Sequence, residues 1–208
     1  MTTPPPAPPS AGATADARVR WNARFSEPGY LFGTAPNCFL ASQAQRLRPG
    51  QRALAIVWLA AQGLDVTAVD FSPVALAKAR ALAEGAGVRL ATIEADIGAW
   101  VWPEAAFDVV AAIFIQFAGP DLRAAMFRGI HATLRPGGLV ILQGYRPEQL
   151  AYGTGGPPHA ENMYTAALLR SAFADMEILH LAEHDSPLDE GAGHAGMSAL
   201  VDLVARKP

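Results

Sequence analysis

Asp70 closes a short apolar run, and Asp96 stands just past the carboxyl end of a second expected strand, positions from which a carboxylate can meet a ligand. Before Asp70, Val66, Ala68 and Val69 supply the partly β-branched centre of a buried strand. After it, Ser72 is set to N-cap a helix, with Pro73 at the first helical position, where a missing N–H costs nothing. In open α/β sheets ligands bind outside the carboxyl ends of the strands, and an acid there can accept from both hydroxyls of a ribose. Two roles therefore fit Asp70: helping to cap the helix, or holding a ribose. Asp96 follows a strand expected over residues 88–93; it either accepts from an exocyclic amine or solvates a loop.

Three other groups have chemistry-bearing types but weaker spacing. Cys38, between Asn37 and Phe39, reads as a small core residue rather than a nucleophile. His180 and His184 have the spacing of helical metal ligands, yet on a strand they would only share a face, so no metal site is expected. Gly153, Gly155 and Gly156 suggest a phosphate cradle, but no lysine follows in P-loop spacing. Their long loop, residues 145–162, fits an acceptor-site lid better.

The elements that must position these residues alternate. A helix is expected over 74–84, a doubly buried central strand over 107–114, and a helix from about Gly119. Leu122, Met126, Ile130 and Leu134 form the core stripe of that helix. Pro136-Gly137-Gly138 turns into a strand over 139–144, a helix follows over 164–173, and strands over 176–183 and 197–205 close the chain as an antiparallel pair. One stretch resists this pattern. A first strand ending at Ile56 leaves only residues 57–64 for a crossover that normally needs at least about 10–12. Either that strand is missing and residues 51–62 form one helix, or a piece is lost between Ala55 and Val57.

The 208 residues suit one domain behind a leader: residues 1–18, rich in Pro and Ala, read as disordered, and 19–208 as the folded unit. Hydrophobic residues make up 51% and charged ones 17%, as in a soluble globular protein. A net charge of −3 gives no reason to expect nucleic acid or an anionic membrane as partner. The single cysteine fits a reducing cytoplasm, and no apolar run is long enough to span a membrane. Oligomeric state is not legible.

Strand-end acids and polar residues from Asp70 to Gln116, the Arg135-Pro136-Gly137-Gly138 turn and the hairpin-like ending together resemble a class I S-adenosylmethionine-dependent methyltransferase. The opening Trp21-Asn22-Ala23-Arg24-Phe25, with Tyr30, Phe32-Gly33-Thr34 and Pro36-Asn37, is similar to the tellurite-resistance and thiopurine methyltransferase branch. The resemblance implies a Rossmann-like α/β sandwich: a mostly parallel sheet, an antiparallel C-terminal strand and helices on both faces. It implies S-adenosylmethionine as cofactor, with Asp70 on the ribose, Phe71 against the adenine, and Asp96 and Ile97 at the adenine edge. Ile113, Phe114 and Gln116 would line the pocket, and Trp21, Phe32, Gly33, Pro36 and Asn37 would fold over it. Tyr145, Gln149 and Tyr152 are the candidates for contact with a small-molecule acceptor, a thiol or other soft nucleophile. The family's glycine-rich loop after the first strand has no counterpart between Arg52 and Leu59, where the crossover is short. The alternative is therefore a binding or structural protein on the same fold that has lost the cofactor loop. A nicotinamide-dependent oxidoreductase ranks lower, because G-x-G-x-x-G is absent.

Overall fold

The computed structural model describes residues 11–55, 57–191 and 193–208. Seven strands form one sheet: β1 Arg52–Leu54, β2 Asp65–Asp70, β3 Ala91–Glu94, β4 Phe107–Ile113, β5 Leu134–Tyr145, β6 Glu177–Asp189 and β7 Ala195–Arg206. Their order is β3-β2-β1-β4-β5-β7-β6. The first five pair parallel, and β7 runs antiparallel to both β5 and β6. The chain leaves β1 toward one edge and returns at β4 to build the other half. That reversal opens a crevice outside the carboxyl ends of β1 and β4.

Alternation along the central strands builds two cores. Val110, Ala112, Val140, Leu142, Val201 and Leu203 face one side, where α5 (Pro120–Thr133) and α7 (Ala166–Ala172) supply Phe127, Ile130 and Leu169. Val109, Leu139, Ile141 and Val204 face the other, against Phe39 and Leu40 of α2 (Cys38–Ser42) and Leu59 of α3 (Val57–Ala61). The helix α4 (Pro73–Gly85) follows β2 and starts as its sequence implies: Pro73 opens it and Ser72 Oγ accepts from Ala75 N–H at 3.1 Å. Asp108, the one charge in the central apolar run, sits at the amino end of β4. There it accepts from Arg52 N–H at 2.8 Å and pairs with Arg135.

Several boundaries differ from expectation. The first strand is present, so residues 51–62 are not one helix. It stops at Leu54, leaving ten residues, 55–64, for the crossover; a three-residue strand spans only about 10 Å, so the five-residue α3 suffices for the return. Helix α1 runs Ala11–Ser26 and so takes in residues 11–18 of the expected leader, while residues 1–10 lie outside the described residues. β3 starts late because Gly87, at φ +67°, turns the chain and Val88 N–H still bonds back to Ala83 O. The loop over 145–162 carries a helical turn, α6 (Gln149–Tyr152), and a 3₁₀ turn, Ala160–Asn162. Cys38 is exposed rather than buried, because as the first residue of α2 it points away while Phe39 and Leu40 enter the core. Among the described residues no helix is long and apolar enough to cross a membrane.

Candidate functional site

Asp70 ends β2 at the crevice. Its Oδ1 accepts from Ser72 N–H at 2.7 Å, which fixes the carboxylate at the strand-to-helix corner. Burial raises its pKa above the ordinary carboxylate value, against the lowering effect of the Ser72 and Phe71 amides. The neighbouring strand end is tied in register, with Ala95 N–H donating to Asp70 O. Asp96 then closes a tight turn through Gly98 N–H at 2.9 Å, beside half-buried Ile97. Asp70, Phe71, Asp96 and Ile97 thus share one end of adjacent strands.

Helix α1 and the segment after it lie across this end. Asn22 Oδ1 accepts from Ser72 Oγ at 2.6 Å, two residues from Asp70. Lys78 of α4 donates to the carbonyls of Glu27 and Gly29, and Arg18 pairs with Glu94. Trp21 stacks on Phe25, and both approach Phe32. Pro36 leads to Asn37, whose Oδ1 caps α2 through Leu40 N–H and whose Nδ2 donates to Gln143 and to Glu190. The tie to Gln143 extends inward: Gln143 Nε2 donates to Asp202, and Asp202 bonds His184.

The ends of β4 and β5 form the second wall. After Ile113, Phe114 adopts φ +51°, uncommon for a bulky residue, and its ring stacks on Tyr145 at 4.7 Å. Gln116 is buried, and both ends of its amide bond the Tyr145 backbone. Gln149 is also spent on structure: it accepts from Ala199 N–H and donates to Thr154 and Gly155. Tyr152 stands outside, its hydroxyl donating to Asp185. Of the three expected acceptor contacts only Tyr145 faces the crevice aromatics. His180 packs by Phe39 and His184 bonds Ser186 and Asp202, and no metal-binding group of three occurs among the described residues.

Two residues of this site were not singled out by the sequence, Glu190 and His194. They flank the glycines of the β6–β7 turn, which bends over the crevice: Gly193 N–H donates to Leu31 O, and Gly155 bridges to His194. A Cβ at Gly191 would lie 2.8 Å from Leu31 O, so glycine permits the close approach. His194 lies 4.3 Å from the Phe114 ring and 4.6 Å from Phe32. Burial, helped by Arg24, lowers its pKa to about 4. Glu190, half-buried, is raised by burial despite bonds from Cys38 N–H and Asn37. The available signal was two titratable residues within one glycine-rich turn between strands.

Two surface grooves lie elsewhere. One of about 520 Å³ runs between α5 and α7 beside the His131–Asp175 pair; another of about 770 Å³ lies at the amino ends of β1, β2 and β3. Neither reaches Asp70, Asp96 or Phe114, and both are open to solvent. Convergent side chains at the strand ends, not groove size, mark the site.

Comparison with known proteins agrees with this geometry. Residues 52–138 match the family described as a methyltransferase domain. Over 161 residues the chain is 29% identical to a carboxy-S-adenosyl-L-methionine synthase of Geobacter sp. (strain M21), covering 75% of this chain. The chain spans 60% of that relative's length. The fold is similar to TehB from Haemophilus influenzae, with TM-score 0.66, 16% identity and coverage of 92% of this chain and 67% of that one. It is also similar to a Burkholderia thailandensis 1,6-didemethyltoxoflavin-N1-methyltransferase solved with S-adenosylhomocysteine. There the TM-score is 0.60, with 20% identity over 100% of this chain and 93% of that one. The match over residues 52–138 and the strand order together show a chain that carries a segment similar to a methyltransferase domain on a fold shared with solved S-adenosylmethionine-dependent methyltransferases.

Proposed function

We propose that this chain transfers a methyl group from S-adenosylmethionine to a small-molecule acceptor. The observation that carries the reading is Asp70: a half-buried carboxylate at the carboxyl end of β2, beside the switch point and oriented by Ser72 N–H. Asp70 would hold the ribose hydroxyls, Phe71 would lie on the adenine, and Asp96 with Ile97 would meet its edge. Ile113, Phe114 and Tyr145 would wall the methyl-transfer region, with Trp21, Phe32, Gly33, Pro36 and Asn37 covering it. Gln116 and Gln149 act one step back, by fixing Tyr145 and the loop above it. When bound, the cofactor supplies an electrophilic methyl on sulfur; the chain's part is alignment and exclusion of water.

One observation favours a second reading, a cofactor-free scaffold. Between β1 and α3 stand Ala55 and Ile56, with no glycine to bring backbone amides close to the amino-acid end of the cofactor. Calorimetric titration with S-adenosylhomocysteine, paired with a thermal melt, separates the two. At about a hundred times its dissociation constant the ligand adds about 2.7 kcal/mol of stability. Saturable binding weakened by Asp70→Ala supports the enzyme; no heat and no shift at millimolar ligand leaves the scaffold.

A further inference from the structure

His194 is the one imidazole that faces the crevice aromatics, and the reaction as described gives it no role. It reaches them from the β6–β7 turn, clasped between Leu31 on one side and Gly155 on the other. Its ring lies 4.3 Å from Phe114, 4.6 Å from Phe32 and 5.8 Å from Tyr145. Among the described residues neither ring nitrogen has a hydrogen-bond partner. A second polar group nearby also lacks a partner: Tyr145 Oη is fully buried, and burial with nearby Glu190 keeps it protonated. Buried polar atoms are normally satisfied, so a buried Tyr145 Oη beside a half-buried imidazole, both without partners among flat apolar walls, points to a ligand that brings both an aromatic face and a polar edge.

Resting on the methyl-transfer reading, we propose that His194 takes the proton of an aromatic hydroxyl on the acceptor, whose ring packs against the aromatic cluster that Phe32, Phe114 and Tyr145 form around His194. The step balances as a direct displacement. The acceptor oxygen forms a bond to the methyl carbon, the carbon–sulfur pair leaves on sulfur as a neutral thioether, and the oxygen's proton passes to an imidazole nitrogen. Tyr145 Oη donates a hydrogen bond to a second polar atom on the acceptor ring. The charged and titratable groups facing His194 are Arg24 from α1, Glu190 from its own turn and Tyr145 from β5. Burial and Arg24 keep the imidazole neutral, hence able to accept, but also make it a weak base. A weak base suits an acidic O–H such as a phenol's rather than an aliphatic alcohol's.

The test uses the full chain loaded with S-adenosylhomocysteine and 4-nitrophenol as probe, whose ionised form absorbs visibly. Wild type, His194→Phe and His194→Gln are compared after melts confirm folding and titration confirms S-adenosylhomocysteine binding. Phenylalanine keeps the aromatic packing, and glutamine keeps a hydrogen-bond acceptor without proton uptake. In wild type the bound probe should ionise at a pH about one unit lower than in either variant. The ¹⁵N signals of His194 should shift to the protonated form as the probe binds. Equal ionisation in all three proteins, an unchanged His194 signal, or no probe binding by loaded wild type overturns the proposal. Failure of S-adenosylhomocysteine itself to bind overturns the methyltransferase reading instead.

Discussion

Gln116 and Tyr145 exchange two hydrogen bonds: Gln116 Oε1 accepts from Tyr145 N–H at 2.5 Å, and Gln116 Nε2 donates to Tyr145 O at 2.8 Å. β4 ends at Ile113, so Tyr145, the last residue of β5, has no strand beside it on that flank. The side-chain amide of Gln116 takes the missing strand's place. Tyr164 N–H donates to the same carbonyl, so the Tyr145 backbone is held from two directions and its ring stays against Phe114.

Gln116→Leu should therefore destabilise more than its size change suggests. It strands a buried N–H, at a cost of about 1–3 kcal/mol. Urea denaturation would measure the loss. A change within experimental error would mean that the strand end relaxes to find water, and that Gln116 does not fix Tyr145.

Asp70 should show a conflict between stability and binding. Burial raises its folded pKa, outweighing the amides of Ser72 and Phe71. A carboxyl shifted that way contributes fully to stability below its unfolded pKa of about 4, and the contribution is lost as pH rises through the folded value. The ionised group is thus a burden at neutral pH. Asp70→Asn should melt higher than wild type near pH 7, with the gap closing toward pH 4, while S-adenosylhomocysteine affinity falls by about tenfold or more. A variant that melts no higher at pH 7 would show that Ser72 and Phe71 compensate burial in full.

His194 should leave its mark on acid stability. Its folded pKa, lowered to about 4 by burial and Arg24, lies below the unfolded value. The sign is opposite to that of Asp70: the unfolded chain binds the proton first, so the contribution is present above about pH 6.5 and lost as pH falls toward 4. His194→Phe keeps the packing against Phe32 and Phe114 and removes the titration. Its melting temperature should fall less than that of wild type between pH 6.5 and 4. Parallel curves would place His194 in solvent.

Local rules made the Asp70 corner readable: an N-cap serine, a helix-opening proline and a β-branched run act within a few residues of one another. The alternation of β4 and the steps of four along α5 were legible for the same reason. The length of β1 was not, because a three-residue strand is fixed by its partners β2 and β4 rather than by its own pattern. Cys38 looked apolar and stands exposed, since helical phase, not residue type, decides which of Cys38, Phe39 and Leu40 points inward. Glu190 and His194 were hidden by distance along the chain. Their meeting with Phe32, Asn37 and Phe114 depends on a turn whose glycines let two backbones touch.

Gly129 of α5 gives a packing test away from the site. A Cβ there would run into the indole ring of Trp102, which packs beside Trp100 on the α5 side of the core. In an open helix Gly→Ala stabilises by about 1 kcal/mol, but overpacking a filled contact costs about 1–3 kcal/mol. The clash involves a large, rigid, partly buried ring rather than a flexible chain end, so the cost should win and Gly129→Ala should be net destabilising. Gly85→Ala is the control: it closes α4 with nothing within 4 Å of the added methyl. Urea midpoints should move in opposite directions for the two variants. If both rise, Trp102 swings aside freely, and the indole is a loose cover on α5 rather than part of the core.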